Sequence, residues 1–186
     1  MTANETTTTT TSPDSPAVAG ERAEILGTLA KHRGFLRHTT RDLTDEQAAR
    51  RTTVSELCLG GLIKHVAATE KNWVDFIEQG PSALGDFSSM TQEDFEARAN
   101  EFRMLPGETL AGLLDEYEEV ARRTEKVVAA LPGLDVSWPL PEAPWFEPGA
   151  RWSARRVLLH LIAETAQHAG HADIIRESLD GAKTMG

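Results

Sequence analysis

Four stretches of this 186-residue chain carry apolar residues at helical spacing, and none alternates with the period of two that a half-buried strand requires. The first runs from about Glu21 to Arg41 and holds Ile25, Leu26, Leu29 and Leu36. The second, about Leu57 to Gln79, places Leu62, His65, Val66, Thr69, Trp73 and Phe76 on one face despite the helix-weakening pair Gly60–Gly61, and Gly80–Pro81 ends it. A third opens at Pro106, carries Leu110, Leu113, Leu114, Tyr117, Val120, Ala121, Val127 and Val128, and stops at Pro132–Gly133. Ser153 caps the fourth, which closes near Asp180–Gly181. Four long amphipathic helices without competing strands predict an all-α four-helix bundle with one long crossover connection.

Shorter pieces fill the gaps. Asp42 to Glu46 starts a brief helical turn, and Thr91, with Asp94 at the capping-box position, starts a short helix through Phe102. Residues 132 to 152 break every period, because Pro132, Pro139, Pro141, Pro144 and Pro148 forbid regular structure. Trp138, Trp145, Phe146 and Trp152 predict that this connection packs on the helices, with closure over a bound molecule as the competing reading. The threonine-rich residues 1–19 read as a disordered tail, 20–180 as the bundle domain and 181–186 as a short C-terminal tail.

Several function classes fall away on composition. A formal net charge of -10 with no helical face of clustered Lys and Arg argues against nucleic acid as a partner. No apolar run approaches the length a membrane helix needs, and the N-terminus lacks a secretory signal, so no membrane partner is expected. Cys58 is the single cysteine, which excludes an intrachain disulfide and makes a reducing cytoplasm the expected location.

What chemistry the chain supports is concentrated in the fourth segment. At about 100° per residue, His160, Glu164, His168 and His171 fall within an arc of roughly 80° on one helical face, together with Val157 and Ile175. Imidazole nitrogens and carboxylate oxygens four residues apart suit a divalent transition metal, and Glu164 and His168 have that spacing. A third ligand must come from another helix, and His65, amid the apolar residues of the second segment, is the natural candidate. Two histidines and a carboxylate leave coordination positions open for water or substrate. Against this stands a polar core seam whose members pair with one another.

The neighbouring residues have two readings each. His160 either orients Glu164 or bonds a backbone carbonyl, and His171 is a fourth ligand, a general base beside the metal or a substrate contact. His32 falls on the apolar face of the first segment and reads as core, while His38 reads as solvated. Arg155 and Arg156 read as surface groups, and Cys58 lacks an adjacent base to make it a nucleophile.

Two segments, Leu59-Gly-Gly-Leu-Ile-Lys-His-Val-Ala-Ala-Thr-Glu-Lys-Asn-Trp73 and Arg151 to Glu177 with its His160, Glu164, His168 and His171, resemble the DinB-like superfamily, in particular a branch catalogued as a domain of unknown function. The resemblance extends from about Glu21 to Asp180. It implies a four-helix bundle with a divalent metal between helices, held at the positions of His65, Glu164 and His168. Glu164 departs from the histidine of many relatives and makes the site harder and more tolerant of several metals, with zinc or nickel first and iron or manganese next. His171 stands where many relatives have glutamine. The resemblance further implies a transferase using a low-molecular-weight thiol such as mycothiol on an electrophilic small molecule, with His171 as the catalytic group, in a protein that pairs as a homodimer. A metal-dependent hydrolase of a small molecule and a non-catalytic, stress-associated metal-binding dimer are the rival expectations.

Overall fold

The computed structural model describes residues 16–85 and 87–184. The expected tail lies mostly outside them, and helix α1 (Pro16–His38) opens before the expected Glu21. It is followed by α2 (Asp45–Ala48), α3 (Leu59–Gln79), α4 (Gln92–Glu101), α5 (Leu110–Ala130) and α6 (Ala154–Asp180). Among the described residues no helix is long and apolar enough to cross a membrane.

Local chemistry sets the ends. Thr91 caps α4 with Asp94 closing the capping box, Ser153 Oγ accepts the Arg156 N–H at the start of α6, and left-handed Gly181 closes its end with an N–H donated to the Glu177 carbonyl at 2.9 Å. Helix α5 starts later than Pro106, because Thr109 and not the proline supplies the cap: its hydroxyl accepts the Gly112 N–H, while Gly107 turns the chain at φ 89°.

Helix α1 packs on α6 and α5, and α3 packs on the same two, so α1 and α3 lie diagonally opposite. The apolar core falls into two clusters that fix direction. Ile25 and Leu29 share one with Phe76, Val127 and Leu158, whereas Leu36 shares the other with Leu62, Leu113 and Ala172. Helices α1 and α6 therefore run one way, and α3 and α5 the other. Parallel neighbours α3 and α5 need a connection that returns the length of the bundle, so the long crossover is residues 80–109, with α4 inside it.

Between the clusters sits a polar layer. Buried Arg33 of α1 reaches buried Glu70 of α3, and Thr124 of α5 donates its hydroxyl to Glu70 Oε1 at 2.5 Å. Burying an ion pair costs several kcal/mol per ion before the pairing offsets it, while each fully buried leucine contributes about 1.5–3 kcal/mol. The flanking clusters, not the pair, hold the bundle together.

The connection from 131 to 153, expected to lack regular structure because of its prolines, contains a short ribbon. Ser137–Pro139 (β1) and Arg151–Ser153 (β2) form an antiparallel ribbon with Trp138 opposite Trp152. Pro139 is tolerated because a two-stranded ribbon is all edge, where a missing N–H need leave no ladder bond unmade. Trp138 donates its indole N–H to the Ile77 carbonyl at 3.0 Å, and Trp152 stacks on Trp73 with ring centres 4.7 Å apart, so the ribbon is fastened to α3. Arg155 is likewise no simple surface group: it bridges Glu21 and Asp135.

Candidate metal centre

His65 on α3 and Glu164 and His168 on α6 meet where these two antiparallel helices pack. Each offers one ligand atom, and the three atoms lie within 4.8 Å of one another. Glu164 Oε1 is 3.5 Å from His65 Nε2 and 3.2 Å from His168 Nε2, so both rings turn the same nitrogen towards one carboxylate. His168 is buried, and His65 and Glu164 are partly covered.

Helix α4 supplies what the sequence did not reveal. Glu101, its last residue, places Oε2 3.3 Å from His65 Nδ1, and Phe102 stacks on the His65 ring at 4.0 Å between centres. A carboxylate on the far nitrogen fixes the tautomer that leaves Nε2 free to bind a metal. The approach depends on the Gly60–Gly61 pair. A Cβ at Gly61 would run into the Phe102 carbonyl, and one at Gly60 would meet the Met104 side chain. The glycines that weaken α3 as a helix thus let the returning crossover lie against it.

His171 takes up the matching position behind the other ring, its Nδ1 3.4 Å from His168 Nδ1. It is not among the residues lining the adjoining cavity, which include His65, Glu101, His160 and Glu164. That cavity, about 380 Å³, has Trp73, Trp152, Trp145 and Phe146 as an aromatic wall. Arg98 stands at its edge over the Phe87 ring, 5.8 Å from the centre. His160 lies edge-on to both Trp73 and Trp152 at 5.2 Å. His32 pairs edge-on with Phe35, away from the cavity, and His38 is exposed. Cys58 is buried and caps α3, its sulfur accepting the Gly61 N–H.

The electrostatics follow from this packing. Hydrogen bonds from His168 and His65 outweigh burial and hold the Glu164 carboxyl far below the usual carboxylate range. Burial is the largest influence on His65 and pulls its pKa down, but the hydrogen bonds to Glu101 and Glu164 together prevail and leave it raised. For His160 burial dominates and the pKa is lowered.

Two imidazole nitrogens and a carboxylate oxygen, converging and backed by further polar groups, are a donor set that zinc, nickel, iron and manganese all accept. The residues present fit a divalent metal. A model of the mycothiol-S-transferase family matches residues 24–181. No curated protein matches the chain.

Proposed function

The chain belongs to the mycothiol-S-transferase family, part of the DinB-like superfamily, and from that footing we propose that it joins a low-molecular-weight thiol such as mycothiol to an electrophilic small molecule. The observation that carries the reading is the convergence of His65, Glu164 and His168 on one point beside an aromatic-walled cavity. A divalent metal held there, zinc or nickel before iron or manganese, would supply the Lewis acidity that keeps a bound thiol in its nucleophilic, deprotonated form.

The chain's own residues do the rest. Glu101 holds His65 by its far nitrogen, and His171 holds His168 in the same way, so we assign His171 to positioning that ring. Trp145 and Phe146 offer apolar surface to the electrophile, and the stacked Trp73 and Trp152 close the wall that excludes water from the reacting groups. Arg98 presents a cation where polar parts of either substrate would enter. On this reading the protein works in the cytoplasm as a homodimer, the exposed Leu159 and Ile174 on α6 offering a second copy an apolar surface on which to pair.

The test is elemental analysis of protein purified without chelator, followed by turnover assays with mycothiol across a panel of electrophiles. Stoichiometric metal and thiol-dependent product are expected. Turnover that proceeds equally without thiol would replace this reading by metal-dependent hydrolysis, and metal without any turnover would leave a binding protein.

A further inference from the structure

We propose that His160 is the proton-transfer residue of this site: it accepts the proton of the incoming thiol and returns it to the product. The inference rests on the thiol-transfer reading above and adds a residue and an electrophile class to it.

His160 is on α6, one helical turn before Glu164, a rise of roughly 6 Å. It lines the same cavity as His65 and Glu164. Trp73 and Trp152 hold the ring edge-on, at 74° and 66°, and so fix its orientation by packing alone. Among the described residues nothing hydrogen-bonds to either ring nitrogen. Its ring nitrogens are therefore open to whatever enters the cavity, water or a thiol, and have no protein partner to displace. The other histidines are occupied: His65 and His168 face Glu164, and His171 faces His168.

The protonation state suits the role. Burial and the nearby Arg156 lower the His160 pKa, against the opposing charge of Glu164, so the neutral, proton-accepting ring predominates at pH 7.

The step balances without a further reactant. The S–H bond breaks and its proton forms an N–H bond on His160, while the sulfur electron pair forms a C–S bond to the electrophilic carbon. In a conjugated enone the π electrons move onto the carbonyl oxygen, and the resulting enolate carbon takes the proton back from His160. The ring ends neutral and nothing is oxidised or reduced. Planar conjugated carbonyl compounds are the electrophiles that suit the aromatic wall of this cavity, to which Trp145 and Phe146 contribute beside the Trp73–Trp152 stack.

Full-length, metal-loaded wild type, H160Q and H160A are to be assayed with mycothiol and 4-phenylbut-3-en-2-one, with metal content measured on each. Binding of mycothiol alone is to be followed by tryptophan emission, since an imidazolium formed at the edge of the stacked Trp73 and Trp152 quenches indole fluorescence. The expected result is a kcat loss of about 10²–10³-fold in both variants. Metal content should be unchanged, thiol-induced quenching should be lost, and added imidazole should recover H160A at least about tenfold, as a freely diffusing base replaces the missing one. Variants with kcat within about threefold of wild type, or quenching that survives in H160Q, overturn the role of His160. So does loss of metal in either variant, which would make His160 a support of the metal site. A wild type that shows no thiol-dependent turnover with any electrophile overturns the parent reading, a result distinguishable from an active wild type with active variants.

Discussion

Arg33 and Glu70 meet in a two-pronged ion pair through the middle of the bundle, the guanidinium Nε donating to Oε2 at 3.0 Å and Nη2 donating to Oε1. The pair links diagonal helices α1 and α3, and both side chains are almost wholly removed from water. Glu70 lies five positions beyond His65 on α3, so the same layer that joins the helices braces the one that carries a metal ligand.

Breaking this pair from one side should be expensive. Glu70→Ala leaves the Arg33 charge buried and should lower unfolding free energy by about 3–5 kcal/mol, whereas the joint change Arg33→Met with Glu70→Leu should come out neutral or more stable. Urea denaturation of the three proteins measures it. A double variant as unstable as the single one would mean that the pair, and not its flanking clusters, supports the core.

At the metal centre, His65→Ala, Glu164→Gln and His168→Ala each remove one of three converging donors. Each should reduce metal affinity by more than the tenfold to hundredfold loss typical of an outer partner. Competition titration against a chromophoric chelator gives the constants. Stoichiometric, tight metal in all three variants would place the ion elsewhere.

Glu101→Gln keeps the shape of the side chain but removes the charge behind His65. Affinity for metal should fall about 10–100-fold while the unfolding midpoint of the metal-free protein changes little. Isothermal titration reads the first quantity and a thermal melt the second. Unchanged affinity would reduce Glu101 to a surface carboxylate.

Gly61→Ala drives a methyl group into the backbone carbonyl of Phe102, an overlap that no side-chain rotation relieves. We expect about 1–3 kcal/mol of destabilisation, together with weaker metal binding as Phe102 and Glu101 are pushed off His65. Gly60→Ala meets the flexible end of Met104 and should cost less. Equal effects of the two changes on metal affinity would contradict the placement of the crossover.

The pH dependence of the metal-free and metal-loaded proteins should diverge. In the metal-free protein His65 is raised above its ordinary 6.5, so its contribution is fully present below 6.5 and is lost as pH rises through the folded value. Glu164 is depressed, so its contribution is present above the ordinary 4.5 and lost only as pH falls through its low folded value. Metal binding requires the rings unprotonated and competes with the same protons. The gain in melting temperature on adding metal should therefore be small near pH 5.5 and grow between about pH 6 and 8. A gain independent of pH would argue that histidines are not the ligands.

Much of this was legible in the sequence. Apolar periodicity located the four long helices, and the spacing of Glu164 and His168 put both on one side of α6. Their meeting with His65 depends on packing between helices, which spacing along one helix cannot fix. Arg33 and Glu70 were legible in principle, since each occupies a core position between apolar neighbours, Leu29 and Leu36 for one and Val66 and Trp73 for the other. Glu101 was not, because it reaches His65 only through the path of the crossover, and exposed α4 has no apolar stripe from which that path could be read. The ribbon of β1 and β2 escaped because three-residue strands bearing proline carry no periodic signal.

Ser153 is at once the last residue of β2 and the cap of α6, so no flexible residue separates Trp152 from the helix that bears His160, Glu164 and His168. The angular phase between the aromatic wall and the ligands is set by chain count alone. One residue inserted between Ala154 and Glu164 would rotate everything beyond it by about 100° relative to Trp152. An insertion near Glu142, in the loop at the ribbon's far end, would leave that phase untouched. Among homologous chains, length variation should be confined to that loop and excluded from the first three turns of α6.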